Sequence, residues 1–186
     1  MSNGKDHICP VELAGSLDNR IRRWLQDPQK ILAPYIKEGM KVLDVGCGPG
    51  FFSVEIARMV GKSGKVYSVD LQEGMLQRLR NKIHGTHLEE IVTPIKCEED
   101  VISVPEKVDF ILAFYMVHEV PGKEKLFKTL NNILGDKGEF LIVEPKLFHV
   151  SKKEFNSTVG IAETAGFRVY PGPKLPFSFS SILKHQ

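Results

Sequence analysis

The 186-residue chain is short of several things, and each shortage excludes a class of protein. It has three cysteines, Cys9, Cys47 and Cys97, widely spaced and without a Cys-x-x-Cys pair, so it encodes neither a disulfide framework nor a structural zinc site. No apolar run approaches the ~20 residues that a membrane-spanning helix needs. The opening stretch MSNGKDHICP lacks the apolar core of a signal peptide. Charge of one sign is scarce as well. With 25 Lys+Arg against 23 Asp+Glu the formal balance is +2, which excludes a strongly basic nucleic-acid binder by composition. Internal repeats and low-complexity tracts are missing, and nothing between residues 36 and 186 reads as a linker. The expectation is a reduced, cytoplasmic protein, monomer or homodimer, without a membrane or nucleic-acid partner.

What is present is the material of one globular domain. Apolar residues make up 42% and charged residues 26%, a profile that supports a full core. The segment 16–36 reads as helix, with Leu17, Ile21, Trp24 and Leu25 at helical spacing and Pro28 marking a break or a second start. From residue 41 strands and helices alternate. Strands are expected at 41–45, 65–69, 91–96, 108–114 and 138–143, with helices at 51–60, 73–83, 123–134 and 152–165. Two further strands, 167–170 and 177–183, flank a Pro/Gly turn and read as an antiparallel hairpin. Alternation of this kind gives right-handed crossovers and a parallel sheet, hence an α/β three-layer sandwich of seven strands.

The first strand runs into Asp44-Val45-Gly46-Cys47-Gly48-Pro49-Gly50. In an open α/β sheet, ligands bind beyond the carboxyl ends of the strands near the switch point, where glycines let a ligand approach the backbone. A dinucleotide turn reads G-x-G-x-x-G, but here the third position is Phe51, and the phosphate cradle G-x-x-x-x-G-K-[ST] is absent. An acid at the strand end, Asp44, suits an amino group rather than a pyrophosphate. Asp70 ends the second strand, where a carboxylate can accept both hydroxyls of a ribose.

At these residues the chain resembles the class I S-adenosylmethionine-dependent methyltransferases of small-molecule type, close to the quinone-biosynthesis and metalloid methyltransferases, from about residue 36 onward. The stretches DFILAFYMVHEV and LNNILGDKGEFLIVEP look like the family's fourth- and fifth-strand units. The resemblance implies a Rossmann-like sheet in the order 3-2-1-4-5-7-6 with the seventh strand antiparallel, and S-adenosylmethionine as cofactor. By position, Asp44, Gly46, Cys47 and Gly48 lie along the methionine part, Asp70 holds the ribose, and Leu71 packs on adenine. Glu98, with Glu99 close behind, takes the adenine amino group, and Ala113, Phe114 and Tyr115 pass beneath the sulfonium.

The substrate side is thinner. His118, with Glu119 beside it after the fourth strand, is expected to face the acceptor as a base, with Tyr115 as its catalytic neighbour. Glu144 and His149 come from the same sheet edge, while Lys146 reads as a solvated charge. Residues 1–35 form a helical segment that would serve as a lid over a domain of residues 36–186. In that case Trp24 and Tyr35 become pocket walls, Arg22 or Arg23 an anion anchor, and Cys9 could swing over the site. No metal-binding set of Asp and Asn is evident, and the Asn/Asp-Pro-Pro-Tyr signature of amide or exocyclic-nitrogen methylation is absent. The rivals are a non-catalytic S-adenosylmethionine-binding sensor or partner subunit and a nicotinamide oxidoreductase.

Overall fold

A computed structural model describes residues 26–98, 101–146 and 150–186. The expectations that fall on Cys9, Arg22, Arg23, Trp24, Glu99 and His149 lie outside the described residues. A one-turn helix α1 (Pro28–Leu32) opens the structure, with Asp27 accepting from the amides of Gln29 and Lys30 and Pro28 in the first turn. Then follow β1 (Lys41–Val45), α2 (Ser53–Val60), β2 (Lys65–Asp70), α3 (Glu73–Ile83), β3 (Val92–Lys96) and β4 (Val108–Phe114). The chain closes with α4 (Lys123–Ile133), β5 (Leu134–Pro145), α5 (Lys152–Thr164), β6 (Phe167–Pro171) and β7 (Ser178–His185). Short 3-10 turns span His87–Glu90 and Val117–Glu119.

The strands form one sheet in the order β3-β2-β1-β4-β5-β7-β6. All neighbours pair in parallel except β7, which is antiparallel to both β5 and β6. Both the sandwich and the strand order implied by the resemblance are therefore found. The central strands are buried on both faces, as their unbroken apolar runs require. On one face Leu32, Ile56, Leu76 and Leu79 from α1–α3 close a core over Val42, Phe110 and Leu112. On the other, Phe127, Leu130, Phe155 and Ala162 from α4 and α5 cover Leu43, Ile111 and Phe140. Phe127, Phe140 and Phe167 meet at centroid distances of 5.9–6.4 Å and tie α4 to β5 and β6.

Two strands differ by more than one residue from the spans read in the sequence. β5 begins at Leu134 rather than Gly138, because Leu134 already pairs with Val108 and an irregularity between Val108 and Phe110 absorbs the residues between. β7 runs on to His185, which pairs with Phe167 across the edge. The order reverses between β1 and β4, so the switch point lies where the glycine turn leaves β1 and Phe114 ends β4.

Candidate functional site

The glycine turn packs under β2 through two amides, Gly46 and Cys47, which both donate to the Val69 carbonyl at 2.9 and 3.0 Å. Asp44, buried at 2% exposure, accepts a hydrogen bond from Ser53 Oγ at 2.6 Å and so links the strand end to the first residue of α2. The two ends of the turn are thereby tied. Asp70 stands beside it, its carboxylate accepting from Gly48 N at 2.9 Å and Gln72 N at 2.8 Å. Burial raises the Asp70 pKa, and the amides of Gln72, Gly48 and Leu71 oppose that rise. A methyl group added at Gly48 would meet nothing within 4 Å, whereas one at Gly46 would strike the Met116 side chain at 2.9 Å.

Cys47 is buried, its Sγ 3.5 Å from the Gly48 carbonyl, and burial together with Asp44 and Asp70 holds the thiol well above its usual range. Cys97, whose amide donates to the Asp70 carbonyl at 3.1 Å, is pushed up to about 11, mainly by burial. Burial thus disfavours the thiolate at both positions. Leu71 is half-buried after Asp70, and Glu98 is exposed, bridging to Val101. Ala113 lies wholly within the core under α4 and α5, so only its backbone can border a ligand. Phe114 is buried and stacks on Phe52 at 4.3 Å and on Tyr115 at 4.6 Å.

Tyr115 holds a left-handed backbone, φ 60°, which costs an L residue about 1–2 kcal/mol. Its amide still donates to Val143 at 2.8 Å, and its hydroxyl lies 2.5 Å from Ser178 Oγ at the start of β7. Ser178 Oγ donates onward to the Pro176 carbonyl at 3.1 Å, so the tyrosine hydroxyl is the donor to Ser178. The turn joining β6 to β7 is thereby fastened to the end of β4.

His118 and Glu144 come together. His118 Nδ1 lies 2.5 Å from Glu144 Oε2, and the same carboxylate accepts from the amides of Val117 at 3.0 Å and His118 at 3.3 Å. Glu144 is buried at 1% exposure at the end of β5, while Glu119 Oε1 lies 3.9 Å from His118 Nε2. Burial acts to lower the His118 pKa, but the hydrogen bond and charge of Glu144, with Glu119, outweigh it and raise it.

Ser53 and Ser178 were not signalled in the sequence: Ser178 bonds a residue 63 positions away, and Ser53, though only nine from Asp44, carries no motif that marks the bond. Tyr35 is a correction. It stacks on Phe110 at 5.8 Å and lies near Glu139, at the amino ends of β4 and β5, so it is no wall of this site. Helix α1 and the residues after it run down the sheet and carry the ring to the far edge. Lys146 is also not simply solvated, since its Nζ sits 4.8 Å from the centre of the Phe179 ring.

The residues fit the donor that the sequence implies, with open space over Gly48 and buried carboxylates at the ends of β1 and β2. A family model described as a methyltransferase domain matches residues 36–170. The crystal structure of an S-adenosylmethionine-dependent methyltransferase from Aquifex aeolicus is 31% identical, with a TM-score of 0.84, covering 95% of this chain and 98% of that one. A TehB-like methyltransferase from Corynebacterium glutamicum shares the fold at 16% identity and a TM-score of 0.72, over 95% of this chain and all of its own. The ubiquinone/menaquinone biosynthesis C-methyltransferase UbiE of Cronobacter sakazakii is 28% identical over 110 residues, 59% of this chain and 44% of that protein. The chain spans about half the length of the curated relatives it matches. On the family match and the 31% identity over nearly its whole length, the chain belongs to the S-adenosylmethionine-dependent methyltransferases.

Proposed function

We propose that the chain methylates a small-molecule acceptor, with His118 as general base and Tyr115 lining the reaction space. The observation that carries this reading is the His118–Glu144 pair at the carboxyl edge of the strands beyond the switch point. Relatives named for quinone C-methylation support a small organic acceptor. S-adenosylmethionine, when bound, supplies a methyl carbon made electrophilic by its sulfonium. Asp44, Gly46, Cys47 and Gly48 would lie along its methionine part, Asp70 would take the ribose hydroxyls, Leu71 would pack on adenine, and Glu98 or Glu99 would take the adenine amino group. Ala113 and Phe114 would pass beneath the methyl, and the aromatic faces of Phe52, Phe114 and Tyr115 favour a cation nearby.

The protein's own work is placement and proton transfer. Three N–H groups converge on Glu144, so Nδ1 of His118 keeps its hydrogen and Nε2 exchanges a proton. As the acceptor atom gains the methyl, the proton it gives up passes to Nε2. A lid over the domain of residues 36–186 would have to come from residues 1–25, outside the described residues, and the protein is read as cytoplasmic, without nucleic-acid or membrane partners. Among the described residues no helix is long and apolar enough to cross a membrane.

The test is formation of S-adenosylhomocysteine from S-adenosylmethionine over a panel of small phenols and thiols. His118→Gln should lower the rate about 10²–10⁴-fold while S-adenosylhomocysteine binding stays within twofold or so. A rate unchanged by His118→Gln would remove the base, and full donor binding without turnover of any acceptor would favour a binding protein.

A further inference from the structure

Among the described residues only two that are not glycine hold a left-handed backbone, Tyr115 at φ 60° and Phe177 at φ 53°. Both are bulky aromatics, for which this conformation is a genuine outlier. Both also stand at the carboxyl edge of the sheet. Tyr115 comes just after β4, and Phe177 just before β7, whose first residue pairs with Pro145 at the end of β5. Such strain persists only where the surrounding structure enforces it, and it gathers where ligands are handled.

At Phe177 the enforcing bonds run through the main chain and the next residue. Its carbonyl accepts from the amide of Lys146, the first residue beyond β5, at 2.7 Å. Ser178, buried at 5% exposure, donates its amide to the Leu175 carbonyl at 3.4 Å and takes the Tyr115 hydroxyl at 2.5 Å. Leu175 packs against the core on the α1–α3 face, which contains Phe52 and Phe114 and against which Tyr115 also lies. Phe177 is thus tied to the end of β5 on one side and, through a single serine, to Tyr115 on the other.

These bonds leave the ring outside the core. At 62% exposure Phe177 is the most exposed large apolar side chain among the described residues, so it gains little of the burial that stabilises a core phenylalanine. Asparagine would hold the same backbone with less strain. Fold stability therefore does not explain why phenylalanine stands here. Beside it lies an aromatic run, Phe52, Phe114 and Tyr115, with successive centroids 4.3 and 4.6 Å apart.

We propose that Phe177 is a specificity-determining residue, whose ring packs on a planar apolar ring of the acceptor beside Tyr115 and so selects aromatic acceptors. This rests on the reading of the space at Tyr115 as the acceptor site. The test uses the full chain saturated with S-adenosylhomocysteine and titrated calorimetrically with phenol, 2-naphthol and 5,6,7,8-tetrahydro-2-naphthol. All three carry a phenolic hydroxyl, and the second ring is absent, aromatic or aliphatic.

2-Naphthol should bind about tenfold or more tighter than phenol, with the tetrahydro compound between them. Phe177→Asn should bring 2-naphthol within about twofold of phenol, while Phe177→Trp keeps the preference. The asparagine variant should melt no lower than the unsubstituted protein, because strain is relieved and no buried contact is lost. Equal binding of phenol and 2-naphthol, a preference that Phe177→Asn leaves intact, or no binding of any of the three while S-adenosylhomocysteine still binds would each overturn the proposal. A lower melting temperature for Phe177→Asn would also overturn it, by assigning the ring to the fold. These are affinities, so they stand apart from the rate effect of His118→Gln. Failure of the unsubstituted protein to bind S-adenosylhomocysteine would instead strike the donor site.

Discussion

At the scale of single residues, the proposed reaction turns on His118 and the groups around it. Glu144 from β5, Glu119 from its own turn and Lys123 from α4 all act on the imidazole, and the balance raises its pKa above the ordinary 6.5. A general base must be neutral, so the methylation rate should rise with pH through a midpoint above 6.5. Glu144→Gln should move that midpoint down, because burial then dominates. A pH–rate profile with a midpoint that ignores Glu144→Gln would contradict the pairing. Stability runs the other way. With the folded pKa above the unfolded one, His118 contributes stability that is fully present below pH 6.5 and is lost as pH rises through the folded value. His118 was singled out in the sequence by the family resemblance, from its place after the fourth strand. Its bond to Glu144, 26 positions away on another strand, and that of Tyr115 to Ser178, 63 away, were not. Such contacts depend on register, which apolar runs do not encode residue by residue.

At the scale of elements, the glycine turn serves two purposes that look alike in the sequence. Gly48 and Gly50 both have positive φ, 53° and 83°, so alanine at either costs about 1–2 kcal/mol in strain. Beyond that they part. A methyl at Gly48 enters open space, whereas one at Gly50 would come 2.4 Å from Cδ1 of Leu79, which is fully buried in α3. Gly50→Ala should therefore lower the melting temperature more, and Gly48→Ala should weaken S-adenosylhomocysteine binding more for the stability it loses. Melting curves and calorimetric titrations of the two variants check this, and the reverse ranking would mean that the ligand side of the turn is misassigned. The elements themselves were mostly readable: β1, β4 and α3 have the bounds expected from periodicity and glycine punctuation. The early start of β5 was not, because a ladder irregularity leaves no local signature. Tyr35 shows the same limit, since α1 looks equally helical whichever end of the sheet its neighbours reach.

At the scale of the molecule, strand order and the place of the ligand edge followed from the resemblance. Because the proposed donor site draws on turns after several central strands, binding there should stabilise the whole domain. At S-adenosylhomocysteine about 100-fold over its Kd, mass action adds ~2.7 kcal/mol, equivalent to a rise of roughly 5–10 °C for a domain of this size. NADH at the same concentration should give none, and Asp70→Ala should cut the rise by removing the acceptor for the ribose hydroxyls. A thermal scan showing equal shifts for the two ligands would refute the assignment.

The left-handed backbone at Tyr115 sets main-chain ease against side-chain contacts at one position. Glycine or asparagine would relax the main chain there, yet either would remove the ring from the stack with Phe114 and the hydroxyl from Ser178. With strain of about 1–2 kcal/mol set against those two contacts, a population selected only for heat resistance should show little preference at 115, and one selected for turnover should keep tyrosine.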